Sequence, residues 1–433
     1  MLKKAIIFLF VVLYLYTLTF DIFLSKTIRL PSPLMFGIPL IALFFKSGEK
    51  FLYLKEAIVL LVAEFIYYGI ALSNLNDFLV NFLTIIVCLL FFNFFIGKDR
   101  GRFIASVSIF FGLLLLSAII MVLNHMYPAP INQLRSRLIE SPIEQSPSGI
   151  ASFIFTFGYQ LAPLVTFLCV SLISFRKSWI LKIVIFMACL GFIFLGMQRS
   201  VLIAFSLSCL LFLILYYRYK ALPVIGLILI FAVVFSKYFI AESSNYDNIL
   251  SKNERNADEN RGNLMTENLN IYANYPFGLM FYGKNWNEVT KYNTVYSGGI
   301  TSHNAYLMFF TYLGPFLSIM LFLLCYFKFG KVFKTIFHGI IDKKNALLIS
   351  LFFAFLAASL NALFHNAWLF SANGPTVFLY FATLHLYNQY GYNEVEATED
   401  DPHDHMSEEF NRVSVRPRPL SKSGDVKTHI KIA

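Results

Sequence analysis

Apolar residues dominate the chain in runs close to the roughly 20 positions needed to cross a hydrocarbon core. Short polar breaks carrying Lys, Arg, Gly or Pro separate them. The pattern predicts about twelve spans, at 2–24, 30–45, 57–73, 78–97, 103–124, 151–175, 179–197, 201–217, 221–241, 305–327, 346–364 and 368–387. The second is the weakest, being short and holding Pro31, Pro33 and Pro39. None shows the strict alternation of polar and apolar residues that marks a barrel strand facing lipid on one side. The expected fold is therefore all-α, a polytopic membrane helix bundle. One segment, 242–302, interrupts the series with a long polar excursion that ends in Ser302-His303-Asn304 where the next span begins. The expected organisation is helices over 1–241, an external loop with short helices over 242–302, helices again over 303–388, and a disordered cytoplasmic tail from 389 to 433.

Composition agrees with this reading. Of 433 residues 58% are hydrophobic and only 14% charged, and the mean hydropathy is +0.65, outside the range of a soluble globular domain. Lys3 and Lys4 precede an apolar run, but no small-residue cleavage site follows, so the first run is expected to stay as a helix. Cys88, Cys169, Cys189, Cys209 and Cys325 all lie within apolar runs and form no Cys-x-x-Cys pair, which gives no disulfide framework and no metal site.

The formal charge of +10 suggests nucleic acid until its distribution is examined. With the N-terminus inside, the inner connections carry Lys46, Lys50, Lys55, Lys98, Arg100, Arg102, Arg176, Lys177, Arg218, Lys220, Lys328, Lys331, Lys334, Lys343 and Lys344. The opposite face, leaving the long loop aside, has only Lys26, Arg29, Arg135, Arg137, Arg199 and Lys237. This bias predicts cytoplasmic termini and an external long loop, with no nucleic-acid partner. Beyond Tyr390 an acidic stretch (Glu394 to Asp404) precedes a basic one (Arg412 to Lys422) with no apolar periodicity, hence the expectation of disorder.

Chemistry has few places to reside. Glu64 lies deep in a span and is open to two readings, a proton relay or a pairing between helices. Arg199, in Gly196-Met197-Gln198-Arg199-Ser200, occupies a tight connection between two spans; it serves either as an interfacial anchor or as a guanidinium fork for phosphate oxygens. Within the loop, 256–275 has the pattern of an amphipathic helix with Leu264, Leu269 and Ile271 on its apolar side, ending at Pro276. Arg261 on it is either part of a solvated face or a second phosphate ligand. Asp258 and Glu259 are adjacent and do not converge on one ion. His303-Asn304-x-x-Leu307 opens the tenth run, and its imidazole is a general base or a group bonded to backbone at a helix start. His365-Asn366 repeats the dipeptide after the eleventh run, and His125 also lies on the outer face.

The order of these elements resembles the O-antigen ligase and polymerase superfamily. The shared features are an Arg in a tight turn, a long external loop with an Arg-led helix ending in Asn274-x-Pro276-x-Gly278, and then Ser302-His303-Asn304-x-x-Leu307. They cover about 175–327. The chain departs in having Gln198 where Ser is common, Met280 where a second loop glycine is common, and a single Gly314, followed by Pro315 and Leu317, where a glycine pair is common.

The resemblance implies an inverting glycosyltransferase acting on the outer face of a bacterial inner membrane. The donor would be a polyprenyl-diphosphate-linked oligosaccharide and the acceptor a saccharide hydroxyl, with membrane lipids as surroundings and a chain-length regulator protein as a further partner. Arg199 and Arg261 match the family's arginines and would hold the diphosphate, while His303 would orient or deprotonate the attacking hydroxyl. Asn304, Arg135, Arg137 and His365 would line the substrate. No nucleotide-binding element is present, and no cofactor or metal is called for. A polymerase joining repeat units is favoured over a ligase transferring glycan to lipid A-core by the Phe- and Tyr-rich composition alone (49 Phe, 24 Tyr). A transporter, which needs a polar path across the bilayer, is the competing class.

Overall fold

The computed structural model describes residues 2–20, 32–45, 51–127, 129–130, 133, 154–175, 178–196, 199–223, 225–226, 261–296, 303–364 and 374–399. Among these the fold is all-helical, with no strand. The principal helices are α1 (Leu2–Phe20), α2 (Ser32–Phe44), α3 (Leu54–Glu64), α4 (Leu75–Leu90), α5 (Arg100–Met126), α6 (Ile154–Phe175), α7 (Trp179–Leu195), α8 (Arg199–Tyr217), α9 (Arg261–Asn274), α10 (Trp286–Thr290), α11 (Ala305–Gly339), α12 (Ala346–Asn361) and α13 (Gly374–Glu399). Helices α3 and α4 each continue as a π-helical stretch, Phe65–Ala71 and Phe91–Ile96.

Six described segments are long and apolar enough to cross a membrane: Leu2–Thr19, Leu75–Ile96, Arg100–Leu123, Arg199–Pro223, Ala305–Gly339 and Lys343–Phe364. Leu34–Phe44, Gln160–Ser174 and Trp179–Leu195 are shorter apolar helices. The chain is thus a multi-pass membrane protein. The expected dozen is not matched one for one. Most of the ninth run and the start of the twelfth lie outside the described residues, as do 227–260, 297–302 and the tail from 400.

The chain divides into two units, Met1–Tyr387 and Asn388–Ala433; of the second, the described part is the continuation of α13 to Glu399. In the first unit α12 is the hub. It packs along α6 and α8, while α1 packs on α2 and α5. Apolar helices gain little by hiding from lipid, so close packing and occasional polar bonds between helices supply specificity. Gln160 of α6 is such a bond: it accepts from the Ser117 hydroxyl of α5 at 2.9 Å and donates to the Thr19 carbonyl of α1 at 2.9 Å. Asn93 is another. Its amide donates to the Leu89 and Leu52 carbonyls, and its oxygen accepts from the Leu52 N–H at 2.7 Å. This ties the segment entering α3 onto the π turn after α4.

Three of the basic connections meet at one end of the bundle. The Tyr53 hydroxyl and His385 Nδ1 are 3.0 Å apart, and His385 Nε2 lies 2.8 Å from the Gly97 carbonyl. Lys328 pairs with Glu56 at 2.8 Å and lies over the Tyr53 ring. The connections holding Lys55 and Lys98 and the basic stretch of α11 therefore share an end, as the charge pattern requires if they share a membrane face.

The largest departure from expectation is α11. A straight 35-residue helix would be about 52 Å long at 1.5 Å per residue, and residues twenty apart would be about 30 Å from each other. Here the Ser318 hydroxyl donates to the Phe309 carbonyl at 2.7 Å, and the Tyr306 and Tyr326 hydroxyls are 2.9 Å apart. The Phe322 ring also packs against Tyr306, Phe309 and Phe310. The element is a helical hairpin: an inner arm over 305–313 folds back against an outer arm over 315–339. Gly314 makes the turn at φ 74°, ψ 175°, a region open essentially to glycine alone. Pro315 then starts the second arm, where its missing N–H costs nothing, and it disfavours helical geometry at the residue before it. The expected single crossing over 305–327 is replaced by this hairpin, for a reason written in the dipeptide Gly314-Pro315.

Candidate active site

Site construction begins at the inner arm's N-terminus. Asn304, in extended geometry, caps the arm by accepting from the Leu307 N–H at 3.0 Å, as a short polar side chain does at a helix start. The spacing His-Asn-x-x-Leu is therefore the spacing of a cap. His303, just outside it, sits at φ 52°, a left-handed conformation uncommon for any residue but glycine, and is half-buried. Because the arm folds back, His303 and Asn304 do not open a crossing helix at the loop's edge. They lie at the end of the arm away from the Gly314 turn. The Tyr306 hydroxyl, one turn on, donates to the Ser359 carbonyl of α12 at 3.0 Å. Phe309 stacks on Tyr67 at 5.3 Å, one turn from the wholly buried Glu64. Of the two readings of Glu64, this placement puts it beside the arm inside the bundle.

The loop helix α9 lies on the same hairpin. Leu264, Asn268 and Ile271 are its buried face, successive positions within about 60° of one another around a helix that turns about 100° per residue. Leu269, expected on that face, is exposed, since it lies about 140° round from Leu264 on the same count. Asn268 is the residue that sequence reasoning missed. It is fully buried, accepts from the Thr311 hydroxyl of the inner arm at 2.6 Å, and has Met308 Sδ at 3.9 Å. Its signal was a polar residue four after Leu264 and three before Ile271. Arg261 is the first residue of α9.

The remainder of the described loop is a small folded unit. Asn285 and Glu288 form a reciprocal capping box on α10, the Trp286 and Tyr296 rings meet edge to face at 5.2 Å, and the Tyr296 hydroxyl donates to the Leu264 carbonyl at 2.6 Å. Burial pushes the Tyr296 phenol well above its ordinary range, with the Glu267 charge adding to the rise. The phenol thus stays a donor at any physiological pH. Asn293 reaches Glu267 at 3.2 Å.

Two glycines lock loop to hairpin. Gly278, the glycine of Asn274-x-Pro276-x-Gly278, is at φ 95° with its Cα against the backbone of Leu313 and Gly314, while Gly314 faces the Phe277 carbonyl. A Cβ on either would collide with the other's strand of backbone. The chain needs glycine at both places for close approach as well as for φ.

Arg199 opens α8, exposed, directly after the Gly196 turn that ends α7. Helix α8 packs on α6 and α12, and α12 meets the inner arm at Ser359. The structure therefore joins the helix of Arg261 to the arm of His303 by direct packing, and the helix of Arg199 to that arm through α12. Arg135, Arg137 and His365 lie outside the described residues, as do Asp258 and Glu259. Among the described residues no three His, Cys, Asp or Glu side chains gather in metal-ligand fashion.

The fold and this arrangement define an all-helical, multi-pass membrane protein with a folded loop clamped onto a re-entrant hairpin. Residues 183–323 match the family described as O-antigen ligase, which supports a place for the chain in the O-antigen ligase and polymerase superfamily, whose members are glycosyltransferase-like enzymes. The comparison with curated proteins returns no match to the chain.

Proposed function

We propose that the protein is an inverting glycosyltransferase that lengthens a glycan on its lipid carrier, taking repeat units from a polyprenyl-diphosphate-linked oligosaccharide at the outer face of a bacterial inner membrane. The observation that carries the reading is that the family match at 183–323 contains Arg199, Arg261 and His303 together, with two of the three on elements that pack directly. Breaking a sugar–diphosphate bond develops negative charge on the leaving group. Fixed guanidinium groups at a partly dry interface stabilise it more in the transition state than in the ground state. Arg199 and Arg261 take that role. His303 accepts the proton of the attacking saccharide hydroxyl as the oxygen bonds to the anomeric carbon from the face opposite the departing diphosphate. Asn304, whose oxygen caps the inner arm, lines the substrate beside His303. Arg135, Arg137 and His365 line the saccharide path.

A ligase that delivers finished glycan to lipid A-core uses the same bond chemistry and is the second reading, favoured by the description of the matched family. The test is a reconstitution with purified protein, a polyprenyl-diphosphate oligosaccharide, no nucleotide sugar and added chelator. Longer glycan on the same carrier is the expected product. Product formed only when lipid A-core is supplied selects the ligase. Movement of saccharide across liposomes without transfer to any acceptor would refute both.

A further inference from the structure

The outer arm of α11 exposes Phe316, Ile319, Met320, Leu323, Leu324 and Phe327, a spacing of three and four that forms one continuous stripe along a helix. On a segment of membrane-crossing length this stripe is the lipid-facing side. The stripe does not stop at the hairpin turn. The 3-10 turn of the loop, Leu279–Tyr282, follows the Gly278 lock and places Phe277 (62% exposed) and Phe281 (64%) beside Phe316 (78%). Phe277, Phe281, Tyr282, Leu313, Phe316 and Leu317 line a cleft of about 420 Å³ between loop and helix, with no charged residue among the described residues of its wall. Neither Arg199 nor His303 is among the described residues that line it. Because both glycines at the junction exclude a Cβ, the loop cannot lift from the turn without opening a backbone-to-backbone contact.

We propose that the 277–282 turn is embedded in the leaflet nearest the Gly314 turn, that its aromatic side chains extend the lipid-facing stripe of the outer arm, and that the cleft takes a hydrocarbon chain of that leaflet. The occupant is bilayer hydrocarbon because the cleft continues a face already turned to lipid. In water the same rings would form an exposed apolar patch of the kind soluble surfaces avoid. Tyr282 beside them has the amphipathic ring of an interfacial anchor, while the Phe rings enter hydrocarbon.

The test uses the full chain in lipid nanodiscs, which leave both faces open. Phe281→Cys and, as reference, Lys291→Cys are spin-labelled, with the unsubstituted protein as baseline for its five free cysteines, four of them buried. The expected result is an oxygen-to-nickel-chelate accessibility ratio several-fold higher at 281 than at 291. High nickel accessibility at 281 overturns the proposal, because the turn is then in water. Low accessibility to both reagents also overturns it, because protein then covers the turn. A conservative Phe281→Trp protein provides a second reading: its added emission is expected to be blue-shifted and quenched by lipids brominated on the acyl chain. Emission unaffected by those lipids counts against the proposal.

Discussion

At the scale of residues, the candidate site consists of side chains whose roles separate by what holds them. Asn304 is used structurally as a cap, whereas His303 sits outside the cap in a left-handed conformation that a cap does not need. If the proposed chemistry holds, His303→Ala abolishes elongation while lipid-linked donor persists, and Asn304→Ala loses about 1 kcal/mol of arm stability with a smaller loss of rate. Arg199→Ala and Arg261→Ala are expected to lower turnover by at least about a hundredfold, on the scale of removing a fixed transition-state donor, at normal protein level. Lys at either position restores only part of it, since ammonium keeps the charge and loses the fork. Full polymer production by both Ala variants in the reconstituted assay would leave these arginines as interfacial anchors and nothing more.

At the scale of elements, the hairpin α11 and the loop unit on it act as one body. The inner arm carries His303-Asn304, α9 seats Asn268 on Thr311 of that arm, and Gly278 and Gly314 lock the loop's turn to the hairpin's turn. Gly278→Ala or Gly314→Ala forces a Cβ into backbone at a positive φ, a strain of at least about 1–3 kcal/mol that the joint can relieve only by separating. Either variant is expected to raise amide hydrogen exchange across 264–283 and 305–313 by at least tenfold while α12 keeps its protection. Unchanged exchange in both segments would show that loop and hairpin are held by the Asn268–Thr311 bond and the surrounding packing without the glycine lock.

At the scale of the whole molecule, the basic connections before α3 and after α4, together with Lys328 on α11, meet at one end around Tyr53, His385 and Gly97. The outer arm runs from Gly314 to Lys328 over about 21 Å at 1.5 Å per residue. The hairpin turn and the Gly278 segment locked to it therefore lie most of a hydrocarbon thickness away from that basic end, while the inner arm runs back from the turn into the bundle. On the charge pattern the loop is expected outside and the tail inside. In intact cells a membrane-impermeant thiol reagent is expected to label Asn285→Cys and spare Ser423→Cys. Labelling at 423 alone would invert the orientation and move the proposed site to the cytoplasm.

The sequence by itself determined the all-helical membrane class, because a span must satisfy its backbone bonds internally. It also determined which connections are basic, and the order of Arg199, Arg261, Asn274-x-Pro276-x-Gly278 and His303-Asn304 that leads to the family. The family match later fell on those residues. Apolarity alone could not decide whether 305–327 crosses once or folds back, since a hairpin in a bundle and a straight span have the same composition. The Gly314-Pro315 dipeptide held that information, but only the packing of Phe322, Ser318 and Tyr326 on the inner arm brought it out. Likewise Leu269 and Asn268 differ from expectation because one residue is 100° of a helix, and the face that is buried depends on what the helix meets. Tertiary structure alone decided that the loop's glycine and the hairpin's glycine are one joint, for backbones that close can be recognised only in space.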